Sequence, residues 1–368
     1  MGLAMLLLLF LKVSLLYGIV VAHHDQYNYS FTSLQPATCH DDEKLALLQF
    51  RDSFLINESA SGYEGAYPKV LQWNSQGETI SNCCSWDGME CDEETGNVIA
   101  LDLSNSCLYG SINSTSSLFR LVHLQRLNLA DNHFNFSQIP TSIGQFSGMT
   151  HLNLSYFAFS RQVPFDISHL SNLSSLDLSF NYNQNSEKEI LELKNPDLTT
   201  LLQNLTGLQI LNLNYVDISS VVPNFFATFT SLTSLLLYDC ELQGEFPATI
   251  FQLSYIQILN IGSNSNLTGY LPEFLRPSPL KILRLEGTKF SRSLPSSIQM
   301  LESLERLTTG GCYFLGPIPF SLGKLTKLSM LHLGDNSLNG SILFSLQNLT
   351  QLTFLALQSN QITGAIPS

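Results

Sequence analysis

"LTSLLLYDCELQGEFPATIFQLSYIQILNIGSNSNLTGYLP", residues 232–272, contains one pattern twice. Each copy begins with an apolar L-x-x-L-x-L run, ends in an apolar residue followed by proline, and starts 24 residues from the other. The pattern extends both ways and makes eleven units between Val98 and the C-terminus. The second apolar residue of L-x-L falls at 103, 129, 154, 178, 213, 237, 261, 285, 309, 333 and 357, so the last six steps are all 24 residues. A fixed period of this length indicates a repeat array.

The alternation within L-x-x-L-x-L places the leucines on one side of a short strand. One repeat cannot bury them alone, but stacked repeats bury them as a continuous column. The sequence therefore predicts an α/β leucine-rich-repeat solenoid, a curved right-handed array of about 11 repeats with a parallel β-sheet on its concave face. The recurring "xLxGxIP" tail resembles the plant-specific class of 24-residue repeats. Stretches such as "TSIGQF" and "FSLGKL" are expected to form convex-side turns or short 3₁₀ helices.

An asparagine commonly stands three residues after L-x-L, where a buried amide can bond backbone groups that strand pairing leaves free. The predicted ladder consists of Asn132, Asn181, Asn264, Asn336 and Asn360. Cys107, Cys240 and Cys312 are interpreted as buried free thiols that replace ladder residues.

The step from 178 to 213 is 35 residues, about eleven longer than its neighbours. It contains a polar insert, about 182–204, that we expect to form a loop or short helix. The domains predicted are a signal peptide at 1–22, an N-terminal cap at 23–97 and repeats at 98–368, without a C-terminal cap.

The N-terminal apolar run is too short to span a bilayer and is typical of a cleaved secretory signal, with an uncleaved anchor as the alternative. No other segment is apolar enough to span a membrane. The net charge of −13 disfavours nucleic acid as a partner. Secretion also agrees with ten Asn-x-Ser/Thr glycosylation sequons, at Asn28, Asn57, Asn113, Asn135, Asn153, Asn172, Asn204, Asn266, Asn339 and Asn348.

The segment "NCCSWDGMEC", residues 82–91, precedes the array and follows an amphipathic helix that starts near Cys39. We expect Asp41 to cap this helix and Leu45 and Leu48 to lie on its apolar face. Neighbouring cysteines bond to each other only with severe strain, so each needs another partner. An oxidising compartment favours disulfides among Cys39, Cys83, Cys84 and Cys91, with a zinc site as the alternative.

The pattern "C…ALLQF…W…CCSWDGMEC" resembles the capping domain of plant leucine-rich-repeat receptors. That resemblance implies the pairs Cys39–Cys83 and Cys84–Cys91, with Trp86 packed under the cap. Segments such as "VIALDLSNSCLYGSI" and "LELKNPDLTTLLQNLTGL" resemble plant receptor-like proteins of the disease-resistance type, similar to Verticillium-wilt and Cladosporium resistance proteins. The resemblance implies a cell-surface ectodomain that senses microbial or peptide ligands and signals through partner kinases.

No catalytic motif is present, so neither an enzyme nor a cofactor or metal is expected. Recognition by the concave sheet is the expected activity. The variable positions around L-x-L carry the candidate ligand-binding residues Tyr156, Phe180, Tyr215, Tyr238, Asp239 and Arg284. Exposed aromatic clusters are typical interface anchors, but rings that only pack on each other would fit the same positions. Phe157 is expected to fill the interior.

The sequence thus predicts the extracellular ligand-recognition domain of a plant receptor-like protein, acting in defence at the outer face of the plasma membrane. One alternative is a secreted enzyme inhibitor of the polygalacturonase-inhibitor type, located in the apoplast. Another is a non-functional truncated receptor whose last repeat exposes Leu352, Leu355 and Leu357.

Overall fold

The computed structural model describes residues 38–73, 82–156, 159–183, 186–341 and 344–364. The predicted signal peptide, Asn28 and Phe157 lie outside these residues.

A long sheet, called the main sheet below, runs through the described part of the chain, and its strands follow one another in chain order. Successive repeats pair in register 24 residues apart, as Leu211 with Leu235 and Leu235 with Leu259. These leucines are fully buried, which confirms the predicted solenoid of stacked repeats. The strands are Met89–Cys91, Val98–Asp102, Arg126–Asn128, His151–Asn153, Ser175–Asp177, Ile210–Asn212, Ser234–Leu236, Ile258–Asn260, Ile282–Arg284, Arg306–Thr308, Met330–His332 and Phe354–Ala356.

A second parallel sheet follows the turn in the later repeats, where the glycine of the "xLxGxIP" tail lies. Its strands are Gln243–Glu245, Asn266–Gly269, Lys289–Arg292, Tyr313–Pro317, Ser337–Ser341 and Gln361–Thr363. The expected 3₁₀ helices are present at Thr141–Gln145 and Phe320–Lys324. The other 3₁₀ helices are Glu58–Ala60, Lys69–Gln72, Cys83–Ser85, Ser117–Arg120, Phe165–His169, Asn224–Thr228, Ala248–Gln252, Ser296–Met300 and Phe344–Asn348.

The insert is more ordered than the predicted loop or short helix. A strand, Ser186–Glu192, pairs with Arg161–Gln162 on one side and with Tyr182–Asn183 on the other. An α-helix, Leu198–Leu202, follows. Both elements form because the insert contributes apolar side chains to the core. The fully buried ones are Leu191, Leu193, Leu198, Leu201 and Leu202.

The asparagine ladder forms as predicted, and Asn264 shows its bonding. The Asn264 Nδ2 group donates to the carbonyls of Leu237 at 2.8 Å, Ile261 at 2.8 Å and Gly262 at 3.0 Å. Its Oδ1 accepts from the backbone N–H groups of Cys240 at 3.0 Å and Leu242 at 2.9 Å. One buried amide therefore ties the turn of its own repeat to the preceding repeat.

Two of the three thiols substitute for ladder residues. Cys240 Sγ donates to the Leu213 carbonyl at 3.0 Å and Cys312 Sγ to the Leu285 carbonyl at 3.1 Å. Cys107 is a buried free thiol as predicted, but it does not replace a ladder residue, because the buried Ser106 holds that position and Cys107 follows it. Burial raises the pKa of all three thiols, so they are protonated packing groups.

The cap contains two disulfides, Cys39–Cys83 and Cys84–Cys91, with Cα atoms 5.5 and 5.4 Å apart. This is the pairing that the resemblance implies, and it leaves none of these sulfurs free to hold zinc. Trp86 is 5% exposed and stacks on Trp73 with ring centroids 5.5 Å apart. The strand Met89–Cys91 then pairs antiparallel with Val98–Asp102. The cap therefore covers the first rung of the leucine column.

The cap helix, Asp41–Arg51, corrects two expectations. His40, not Asp41, occupies the N-cap position, and its side chain makes no capping hydrogen bond. Leu45 is 49% exposed, and the buried face consists of Glu43, Ala46, Leu47 and Phe50. These four positions share one stripe of a 3.6-residue helix, which Leu45 does not.

Replacement of Asn264 tests the ladder. Asn264→Ala leaves buried donors and acceptors in two repeats without partners, so we expect the free energy of unfolding to fall by about 3 kcal/mol. Guanidinium unfolding followed by circular dichroism measures it. The neighbouring exposed Ser265 provides the control, and Ser265→Ala should change stability by less than about 0.5 kcal/mol. Equal stability of the two variants would contradict a stabilising role for the amide.

Glu43 makes cap stability depend on pH. The side chain is buried, Oε2 accepts from the Val98 N–H at 2.9 Å, and Oε1 has no partner among the described residues. Burial raises the pKa of the Glu43 carboxyl above its ordinary value of 4.5, while the Val98 bond opposes the rise. Glu43 therefore stabilises the fold fully at pH values below the pKa that its carboxyl has in the unfolded chain. This stabilisation is lost as the pH rises through the higher pKa of the carboxyl in the folded chain.

Glu43→Gln keeps an acceptor for Val98 and removes the buried charge. We expect this variant to unfold at higher denaturant concentration than the parent at pH 7 and at the same concentration near pH 4. Unfolding midpoints between pH 4 and pH 8 test this. A constant difference across the range would show that ionisation of Glu43 plays no part.

Candidate ligand-binding surface

A left-handed backbone position recurs two residues after L-x-L in every repeat, and we call these eleven positions the turn row. They are Asn105, Asp131, Tyr156, Phe180, Tyr215, Asp239, Ser263, Gly287, Gly311, Asp335 and Ser359, with φ between 51° and 70°. In the first ten repeats the N–H of this residue donates to a carbonyl of the next repeat, as Phe180 does to Asn214 at 3.0 Å. Asn, Asp, Gly and the small Ser occupy eight positions, and only three hold bulky aromatic residues, for which positive φ is unfavourable.

The rings of these three aromatic residues contact one another in consecutive repeats. The ring centroids of Tyr156 and Phe180 lie 4.8 Å apart with planes 13° apart, and those of Phe180 and Tyr215 lie 4.8 Å apart. Tyr238 continues the series at 5.5 Å from Tyr215. We call these four residues the aromatic ladder. The Arg284 guanidinium extends it, 5.5 Å from the Tyr238 ring centroid.

The aromatic ladder does not lie on the strands, where sequence counting placed it. The strands end at Asn153, Asp177 and Asn212, and the three turn-row rings each follow three residues later. The ladder therefore lines the carboxyl edge of the main sheet. Arg284 differs, because it is the last residue of the strand Ile282–Arg284.

Sequence reasoning missed Tyr182, which lies at the start of the insert. Its ring is 5.2 Å from that of Tyr215 and nearly parallel to it, with planes 27° apart. The signal was the spacing "FNY", which puts a second ring two residues after Phe180. It was hidden because the insert was interpreted as a loop.

The ladder combines exposed ring surface with neutral hydroxyls. Tyr156 is 42% exposed, and the other rings are half-buried. Burial raises the pKa of the Tyr156 and Tyr215 phenols, and neighbouring acids contribute. Burial also raises the pKa of the Asp239 carboxyl, in the turn row of the next repeat. At the other end, Arg284 Nε donates to Glu286 Oε1 at 2.8 Å.

The sequons within the described residues are exposed, except for one. Asn153, on the strand His151–Asn153, is half-buried, and its Oδ1 accepts from the Ser155 N–H at 3.1 Å and hydroxyl at 2.7 Å. The exposed ones are Asn57, Asn113, Asn135, Asn172, Asn204, Asn266, Asn339 and Asn348.

Family models match two parts of this architecture. Residues 40–92 match the leucine rich repeat N-terminal domain, and residues 123–146 match the leucine rich repeat. The chain thus contains the leucine-rich-repeat cap and repeat that the sequence predicts. The curated relatives that it matches are plant receptor-like proteins, which confirms the resemblance found in the sequence.

Two relatives illustrate the similarity. Receptor-like protein 6 of Arabidopsis thaliana is 39% identical over 289 residues, which cover 76% of this chain and 28% of the relative. Receptor-like protein Cf-9 of Solanum pimpinellifolium is 39% identical over 286 residues, 75% of this chain and 32% of the relative. The leucine-rich-repeat chain thus spans less than a third of each of these relatives.

Solved structures share the fold. The plant peptide hormone receptor RGFR1 in complex with RGF2 matches with a TM-score of 0.60 and 25% identity, over 77% of this chain and 54% of that one. The crystal structure of PEPR1-AtPEP1 matches with a TM-score of 0.65 and 27% identity, over 89% and 46%. A plant ice-binding protein, at 24% identity and a TM-score of 0.61 over 90% of both chains, shows the shared fold alone.

Within the described ranges, no helix has the length and apolar character needed to cross a membrane.

Two substitutions of Tyr215 test the strain in the turn row. Tyr215→Asn and Tyr215→Val both remove the ring, but asparagine tolerates the left-handed conformation whereas β-branched valine does not. We expect the valine variant to be less stable than the asparagine variant by about 1–2 kcal/mol in chemical unfolding. Equal stabilities would show that residue 215 leaves the left-handed region without cost.

Proposed function

We propose that the chain is the extracellular ligand-recognition domain of a plant receptor-like protein, and that it binds a peptide or protein ligand along the aromatic ladder. Ligand binding would act in defence signalling through partner kinases. The chain would enter the secretory route and act at the outer face of the plasma membrane. The observation that carries the proposal is the presence of three aromatic rings in contact with one another at left-handed positions that small or polar residues fill elsewhere.

The energetic argument concerns the cost of those positions. A bulky residue in the left-handed region costs about 1–2 kcal/mol relative to its preferred conformation. One aromatic pair returns about 0.5–1.5 kcal/mol beyond the area it buries. The two effects are similar in size, so stacking explains how the rings are tolerated but not why they replace asparagine or glycine. Strained residues that cluster on an exposed surface indicate a functional site.

The chemistry of the surface fits a peptide. Partly exposed rings provide apolar area with little rotamer entropy to lose, and phenol hydroxyls can bond a peptide backbone. The similarity to a plant peptide hormone receptor solved with RGF2 supports this class of ligand. The partner kinases and the role in defence rest on the similarity to receptor-like proteins alone.

Peptide selection on the secreted chain tests the proposal. A phage-displayed library of random octapeptides is selected on the immobilised chain, and the selected peptides are synthesised and measured by calorimetry. We expect Tyr215→Asn to weaken their binding at least about tenfold, because the central ring of the ladder is lost.

The matched control is Tyr255→Asn, which removes an exposed tyrosine outside the ladder. It should leave the affinity unchanged. Equal binding by parent and Tyr215→Asn would mean that the rings only cover the sheet. Inhibition of a polygalacturonase by a chain that selects no peptide would favour the inhibitor alternative.

A further inference from the structure

A cleft of about 580 Å³ lies between the cap and the first ring of the aromatic ladder. Two tyrosines and two carboxylates line it, together with amide side chains of the main sheet. The residues that matter here are Tyr63, Asn128, Asp131, Asn153, Tyr156 and Asp177.

The wall formed by the cap is held in place by bonds to the repeats. The segment Leu55–Ile56 pairs antiparallel with Leu108–Tyr109. Farther along, the Gly62 N–H donates to Asp131 Oδ1 at 2.9 Å, and the Ser61 hydroxyl donates to Asp131 Oδ2. The Tyr67 N–H donates to the Asn105 carbonyl at 3.2 Å. The cleft is therefore formed before a ligand arrives, which lowers the entropy cost of binding.

The carboxylates in this cleft carry charge without a cationic partner in the described part of the chain. Asp177 accepts from the Ser179 N–H at 3.0 Å, the Ser179 hydroxyl at 2.6 Å and Asn212 Nδ2 at 2.9 Å, all neutral donors. Asp131 likewise accepts from the neutral donors of Ser61 and Gly62. Of the described residues that line the cleft, none is basic.

Aromatic walls beside uncompensated carboxylates form a suitable site for a planar cation. A guanidinium can stack on a tyrosine ring and donate to carboxylate and amide oxygens in the same plane. The chain's net charge of −13 also attracts a basic ligand over longer distances. Burial and the nearby Asp177 and Asp131 raise the pKa of the Tyr156 phenol, so this wall stays neutral.

We propose that this cleft binds an arginine side chain of the peptide that lies along the aromatic ladder, an inference that rests on the proposed function. The guanidinium lies between Tyr63 and Tyr156 and donates to Asp131 and Asp177. Successive rings of the ladder lie in neighbouring repeats about 5 Å apart. Tyr215, two repeats beyond Tyr156, is therefore about 10 Å from it. An extended peptide covers this distance in about three residues. The ligand therefore carries its arginine about three residues from an apolar side chain.

The test compares matched peptides on matched proteins. The probes are octapeptides selected on the parent chain and their counterparts with citrulline, which has the shape of arginine without its charge. The test variant combines Asp131→Asn with Asp177→Thr. Asparagine occupies the turn row at Asn105, and threonine occupies the strand position of Asp177 at Thr308, so the repeat scaffold accepts both. Asparagine is avoided at 177 because it would create an Asn-Leu-Ser sequon.

We expect replacement of arginine by citrulline to weaken binding of the peptide to the parent about tenfold. This is the loss expected when two partly exposed ion pairs are removed. The double variant should bind both peptides with the weaker affinity. Glu302→Gln, which removes an exposed charge outside the cleft, should keep the tenfold preference.

Three results would overturn the inference. One is selection of peptides without arginine, and another is equal affinity for arginine and citrulline peptides on the parent. The third is a glycan on Asn153, detected by glycopeptide mass spectrometry, because it would fill the cleft. In each case Tyr215→Asn still reports on the ladder: if it weakens binding, the proposed function stands and only the arginine site is lost.

Discussion

The conformation of the turn that ends each strand of the main sheet is the constraint on which the rest of the structure depends. Where asparagine is present, its buried amide bonds two carbonyls of its own turn and one of the preceding repeat, as in Asn264. The turn therefore keeps one shape from repeat to repeat and places one residue of each repeat in the left-handed region. Since the rungs are stacked in register, these residues form a continuous row. The first three residues of the aromatic ladder are the part of that row in which consecutive repeats carry rings, and Tyr238 continues them from beside the row.

The periodic features of the molecule were predictable from the sequence because their interactions lie at fixed distances along the chain. Leu211 pairs with Leu235, and Asn264 bonds the Leu237 carbonyl, because each partner is about one repeat away. The stacking of Tyr156 and Phe180 follows from the same spacing. The edge location of the ladder was missed because counting from L-x-L does not reveal that the strands preceding these rings are only three residues long.

The remaining errors come from residues that interact outside the period. The strand Ser186–Glu192 forms because it pairs with Arg161–Gln162. The residue pattern of the insert does not indicate this partner. The ring of Tyr182 reaches Tyr215 because that strand holds the start of the insert against the next repeat. The cleft depends on the cap segment around Gly62 bonding Asp131, 69 positions along the chain. Contacts of this kind depend on tertiary packing, which neither propensity nor periodicity specifies.

In the turn row the backbone holds the repeats together and the side chain is left free to vary. This separation explains why ligand recognition would concentrate in the turn row. The strand leucine Leu235, for example, is fully buried, so its replacement leaves a cavity in the shared core. A turn-row residue is held by its backbone N–H, as Phe180 is, and its side chain points to the sheet edge, where no core packing selects it. The cost of changing it is mainly conformational, about 1–2 kcal/mol for a bulky residue, which a solenoid with a continuous core can tolerate. Asp131, Tyr156, Phe180, Tyr215 and Asp239 thus give five successive repeats different chemistry on one backbone geometry. Acids at the cap end and rings beside them make that surface suited to a ligand that is both basic and apolar.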